Sequence, residues 1–170
     1  MLNNGTTDFT VNYVNLKPIS NDGTATDVIF NLPAGTANDF NLQDDGTLGN
    51  GFNQLVSNNV TFELTTFVNP TGSLTINAGG VRDYFNFYRL DNGFTAPITF
   101  NGGAGADRMY VHTAAATNIV PAGGLNFIGN GNNDGFTLFA GYAATDVDYS
   151  FTNQTDGTIN IDGRTISFDD

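Results

Sequence analysis

The chain contains no cysteine and no tryptophan, and it has five basic residues and a single histidine, His112. Without cysteine, no disulfide holds the fold, and thiol, cysteine–zinc and iron–sulfur chemistry is excluded. One histidine cannot build a histidine-rich metal site. The five basic residues face 17 acidic ones, for a net charge of −12 over 170 residues. Nucleic acid needs a basic footprint and an anionic membrane surface needs basic clusters, so neither partner is expected. No apolar run approaches the roughly 20 residues of a membrane helix, so membrane insertion is not expected either. Met1-Leu2-Asn3-Asn4 has neither the basic nor the apolar stretch of a signal peptide. The ending Phe168-Asp169-Asp170 reads as a cut through a longer chain, with neighbouring domains as expected partners.

Charged residues are only 13% of the chain, and 15 Phe and 6 Tyr contribute to a 39% hydrophobic fraction. Disordered acidic tails are poor in aromatics, so a packed core is expected. The 21 glycines, together with abundant Asn and Thr, suit short strands joined by tight turns.

The chain repeats. Aligned on Asp83, Asp107 and Asp134, three segments superpose: LTINAGGVRDYFNFY (74–88), ITFNGGAGADRMYVH (98–112) and LNFIGNGNNDGFTLF (125–139), at spacings of 24 and 27 residues. Four columns are apolar throughout: Leu74/Ile98/Leu125, Ile76/Phe100/Phe127, Phe85/Met109/Phe136 and Phe87/Val111/Leu138. The position between the first two columns is polar, with Thr75, Thr99 and Asn126. The unit is therefore strand, Gly/Asn turn, strand, with period-2 alternation in both strands. This predicts an all-β fold, with a parallel β-solenoid (β-helix) of coils of about 25 residues favoured over a β-sandwich, because stacking explains equivalent columns directly.

One domain is expected over 1–170, with 1–26 as an N-terminal cap containing a weak strand at 9–14, and 27–170 as coils. Residues 27–40 resemble a further, degenerate unit. Residues 60–64 read as a strand and 43–51 as a polar loop. Residues 149–151 and 158–161 read as a fourth, shortened unit. Asp162-Gly163 is a two-residue turn signal before Thr165-Ile166-Ser167-Phe168.

Gly102-Gly103-Ala104-Gly105-Ala106-Asp107-Arg108-Met109-Tyr110 matches the nonapeptide G-G-x-G-x-D-x-U-x. Over residues 60–170 the chain resembles the repeats of large bacterial surface and secreted adhesin-type proteins with RTX-like turns. The resemblance implies a long extracellular β-solenoid with a structural or adhesive role. It also implies calcium as cofactor, with Asp83, Asp107, Asp134, Gly103 and Gly105 as the residues that would hold it. The motif occurs once in full, and the period near 25 differs from that of RTX rolls.

Three aspartates in one column, about 5 Å apart on successive coils, repel by about 1 kcal/mol even in water. Two arrangements offset this. Backbone N–H groups of the turn can cap each carboxylate, or calcium can bridge two of them with turn carbonyls, since it takes six to eight oxygens.

No enzyme is expected. Asp44/Asp45, Asp146/Asp148 and Asp169/Asp170 are paired acids, but they sit in polar loops or ends, and Lys17, Arg82, Arg89, Arg108 and Arg164 are too few to line an acidic-sugar groove. No nucleophile triad or phosphate loop is spaced correctly. Tyr84, Tyr88 and Tyr110 are candidates for stacking on carbohydrate. The functional expectation is a structural or adhesive module of the cell surface that self-associates end to end, because solenoid ends are unpaired strand edges. A calcium-stabilised carbohydrate-binding module is the alternative.

Overall fold

Side chains that alternate apolar and polar at every second position, with aromatic and branched residues on the apolar phase, favour strands that bury one face. The computed structural model describes residues 17–113, 119–139 and 141–170. Every regular element among them is a strand, so the all-β expectation holds. In chain order these are β1 (Ile19–Asn21), β2 (Asp27–Asn31), β3 (Asp39–Asp44), β4 (Phe52–Ser57), β5 (Thr65–Val68), β6 (Ser73–Asn77) and β7 (Tyr84–Phe87). There follow β8 (Ile98–Asn101), β9 (Arg108–His112), β10 (Leu125–Ile128), β11 (Gly135–Phe139), β12 (Val147–Phe151), β13 (Gly157–Ile161) and β14 (Arg164–Asp169). The strand expected at 9–14 lies outside the described residues.

The strands form two sheets of seven. The first has the order β1-β5-β4-β3-β7-β9-β11, and the second β12-β13-β14-β10-β8-β6-β2. In the middle of both sheets neighbours are parallel and follow the repeat. Leu74 pairs with Ile98, which pairs with Leu125, and Phe85 pairs with Met109, which pairs with Phe136. The predicted columns are thus the actual registers.

The repeat extends further than the three aligned copies. Val28 and Phe30 pair with Leu74 and Ile76, and Phe40 and Leu42 pair with Phe85 and Phe87, so β2 and β3 form a complete unit. At the other end, Ile166 and Phe168 pair with Leu125 and Phe127, placing β14 in the same columns.

Both ends depart from the expected coils. β4 pairs antiparallel with β3 and with β5, and β13 pairs antiparallel with β14 and with β12. Both sheets are therefore mixed, and a parallel coil does not run from 27 to 170. Residues 149–151 and 158–161, expected as a shortened unit, belong to an antiparallel hairpin instead. Residues 60–64 are not a strand. Val60 has φ 55° and is exposed, and the strand begins at Thr65. The polar loop is shorter than expected, because β3 runs on through Gln43 and Asp44. Asp162 and Gly163 form the expected two-residue turn, with φ of 49° and 80°. The described part of 17–26 adds β1 to the edge of the first sheet.

The two sheets face each other across one apolar cluster. Phe100 of the second sheet meets Phe85 and Phe40 of the first at ring-centroid distances of 4.9 and 5.8 Å, and stacks on Phe127 at 5.5 Å. Removing such a fully buried ring costs about 3–5 kcal/mol. This layering is shared with the sandwich alternative.

Candidate functional site

Asp83, Asp107 and Asp134 come together as the sequence predicts, one above another at the entrance to β7, β9 and β11. Each reaches back to the preceding unit. Oδ1 of Asp83 accepts the backbone N–H of Asn38, that of Asp107 accepts the N–H of Asp83, and that of Asp134 accepts the N–H of Asp107, all at 2.6 Å. The donors are backbone groups already fixed by sheet pairing, so the ladder needs little further ordering. A hydrogen bond to an ionised acceptor contributes about 1.5–3 kcal/mol.

The ladder has an unforeseen first rung. Asn38 occupies the aspartate position of the β2–β3 unit and is fully buried. Its Nδ2 donates to Oδ1 of Asp83 at 2.9 Å and to the carbonyls of Pro33 and Thr36. An amide there supplies a donor and no charge, and the repulsion along the column stops at that end.

The three carboxylates differ. Asp83 is satisfied on both oxygens, since Oδ2 accepts the Gly79 N–H at 3.0 Å. Oδ2 of Asp107 and of Asp134 is buried with no hydrogen-bond partner. Burial, reinforced by the charges of Asp83 and Asp134, pushes the Asp107 carboxyl up to about 6. Burial also raises Asp134, as does the neighbouring Asp170 carboxyl.

The glycines of the single full G-G-x-G-x-D motif each have a steric reason. A Cβ on Gly102 would lie 2.4 Å from Oδ2 of Asp107. One on Gly103, at φ +84°, would lie 2.2 Å from the Gly79 carbonyl oxygen. One on Gly105, at φ +137°, would lie 2.6 Å from the backbone of Val81. The turn of the next unit is thus pressed against the turn before it, and only glycine fits.

This geometry tests the calcium expectation. Each Asp has one oxygen committed to a backbone N–H at 2.6 Å. Oδ2 of Asp107 faces the Gly102 backbone, and Gly103 and Gly105 pack against the adjacent turn. Among the described residues no group of three His, Cys, Asp or Glu side chains is close enough to hold a metal ion. Calcium needs six to eight oxygens converging on one point. The arrangement of Asp83, Asp107, Asp134, Gly103 and Gly105 does not fit it.

Two further polar assemblies lie outside the aspartate column, and of these only Asn77 and Asn101 share a column of the aligned segments. Asn31, Asn77 and Asn101 form a second ladder at the ends of β2, β6 and β8, with Nδ2 of Asn77 donating to Oδ1 of Asn31 at 2.8 Å. Asn130 joins it through Oδ1 of Asn101 at 2.6 Å. Buried Asp91 accepts from Asn69 Nδ2 and from the N–H groups of Gly93 and Gly49, while its own N–H donates to Oδ1 of Asn53. Those donors hold the Asp91 carboxyl below its usual value, against the effect of burial. The network fastens the β4–β5 extension to the loop after β7.

The outer face of the first sheet carries aromatics. Tyr88, His112 and Phe139 stack in one column, with centroids 4.3 and 4.8 Å apart and planes within 18°. Tyr84 lies 6.5 Å from Tyr110. Burial lowers the His112 imidazole below its usual value, and its Nε2 lies 3.3 Å from Oδ1 of Asn86. Stacking covers the ring faces between neighbours, the surfaces sugar recognition would use.

Asp44 and Asp45 accept from Gly46 and Thr47 in the loop after β3. Asp146 donates its N–H to Oδ1 of Asp162. The Asp170 N–H donates to Oδ1 of Asp156. Comparison with family models, with curated proteins and with solved structures returns no match to this chain.

Proposed function

We propose that this chain is a non-enzymatic structural module of a bacterial cell-surface or extracellular protein, a short β-solenoid that associates end to end. The observation that carries this reading is the pair of polar ladders, Asn38–Asp83–Asp107–Asp134 and Asn31–Asn77–Asn101. In both, side chains that would line a binding face are used to join one unit to the next. A stack built this way is stiff along its axis, and its ends are open strand edges. Calcium and carbohydrate are not part of the reading, since one oxygen of each aspartate is taken by a backbone N–H and the aromatics stack on one another.

Sedimentation velocity over a wide concentration range, with electron microscopy of the same samples, tests it. Elongated species that grow with concentration are expected. A compact monomer at every concentration overturns it, and so do hydrolysis products from a polysaccharide panel.

A further inference from the structure

The two sheets are offset. Beyond β3 the first sheet continues with β4, β5 and β1, while the second sheet stops at β2 of the same unit. At the opposite end the second sheet continues beyond β10 with β14, β13 and β12, while the first stops at β11. Each end is therefore a step, and the steps are complementary: three strands project from one sheet at one end and three from the other sheet at the other.

Strand direction matches as well. β1 is parallel to β5, which is antiparallel to β4, which is antiparallel to β3, so β1 runs in the direction of β3 and β11. By the same count β12 runs in the direction of β14 and β2. A second copy set on the first would place β1 beside β11 and β12 beside β2, both as parallel neighbours. Because each sheet has seven strands among the described residues, one translation of seven strand spacings, about 34 Å, satisfies both sheets at once.

The surfaces fit this joint. On β12, Val147, Tyr149 and Phe151 lie on the inward face, opposite Ile161, Ile159 and Gly157. Tyr149 is nevertheless 58% exposed and Phe151 71%. An exposed edge strand with an apolar face is a pairing site. At the other end a cavity of about 370 Å³ opens between the two sheets, lined by Ile19, Phe30, Leu55 and Phe62 together with the polar Thr61 and Glu63. It lies where the inward face of a second copy's β12 would enter.

We infer that a second copy of this chain docks by a half-lap joint, with β12 paired to β2 of the next copy and Tyr149 and Phe151 seated in its cavity. This rests on the end-to-end reading and names its interface. Three strands at about 4.8 Å and five residues at about 3.3 Å give each projecting step about 14 by 17 Å. With the blunt end of the stack added, a copy buries about 600 Å², or about 1,200 Å² for the pair, the lower bound of stable specific interfaces. The contact is heterologous, so it propagates into a filament instead of closing as a dimer.

The full chain, Phe151→Asp and Tyr149→Asp are compared by sedimentation and electron microscopy, with circular-dichroism melting to confirm folding. Since the native chain has no cysteine, Ser150→Cys on β12 and Ile29→Cys on β2 are also made, alone and mixed, and oxidised. The expected results are filaments of the parent chain with an axial repeat of about 34 Å, at least a tenfold weakening in folded Phe151→Asp, and a disulfide dimer only from the mixed cysteine variants. Disulfide dimers from Ser150→Cys alone show a two-fold contact between like ends and overturn the joint. So do filaments unaffected by both Asp variants, and in that case the end-to-end reading stands. A parent chain that stays monomeric overturns both.

Discussion

Oδ1 of Asp107 accepts the backbone N–H of Asp83 at 2.6 Å, while Oδ2 of the same carboxylate is buried without a partner. A single side chain thus contributes one strong bond and one uncompensated desolvation. The next ladder position resolves this differently, since Oδ2 of Asp83 accepts the Gly79 N–H.

Asn substitutions should therefore act in opposite directions at the two sites. Asp107→Asn keeps the Oδ1 acceptor and removes a buried charge, so at pH 7 it should be neutral or stabilising by about 1–2 kcal/mol. Asp83→Asn turns an amide NH₂ against the Gly79 N–H and should cost about 1–3 kcal/mol. Urea unfolding measures both, and a loss at Asp107 as large as that at Asp83 would show that both charges matter equally.

The pH dependence has a definite sign. Asp107 titrates near 6 in the fold, against about 3.9 unfolded. Between those values the folded state holds more proton than the unfolded one, so stability from this group is fully present below pH 4 and falls as pH rises to 6. The loss is about 3 kcal/mol. Comparing the parent chain with Asp107→Asn isolates it: the variant's advantage should vanish at pH 4 and reach its full size above pH 7.

Gly103 and Gly131 share φ +84°, but a Cβ meets the Gly79 oxygen at 2.2 Å in the first and nothing within 4 Å in the second. Gly131→Ala should cost about 1–2 kcal/mol for the left-handed backbone alone. Gly103→Ala adds the collision and should cost about 3 kcal/mol or more. Equal costs in chemical denaturation would mean that the adjacent turns are not in contact.

Calcium and chelator should leave the melting temperature unchanged. A site with 1 mM calcium at a hundred times its Kd would add about 2.7 kcal/mol, which thermal melting detects easily. A clear upward shift with calcium would restore the metal reading.

The columns were legible because period-2 alternation and an aspartate at spacings of 24 and 27 survive in sequence. The Asp162-Gly163 turn was legible because few residue pairs tolerate two positive φ values. Asn38 was missed because an amide replaces the marker carboxylate and because β4 and β5 separate its unit from the next by 45 residues. Val60-Thr61-Phe62-Glu63-Leu64 alternates better than Thr65-Thr66-Phe67-Val68, yet the latter pairs with β4, since tertiary pairing overrides local propensity. Apart from the Asp162-Gly163 turn, which makes β13 and β14 antiparallel, strand direction at the two ends left no mark: β12 and β4 alternate the same way whether parallel or antiparallel. Asp91 was invisible because its partners Asn53 and Asn69 converge only in three dimensions.

The β4–β5 insertion also sets a timetable. Later units meet their neighbours after 24 or 27 residues, whereas Val28 must wait 46 residues for Leu74. Doubling a loop adds only about 0.6 kcal/mol to its closure, but pairings distant in sequence form late. On a chain emerging from a ribosome, the first unit synthesised has no parallel neighbour until β6 has left the exit tunnel. Pulse-labelled hydrogen exchange during refolding should accordingly protect β8 and β10 before β2. In refolding of the whole chain, the first unit is thus enclosed after the central ones.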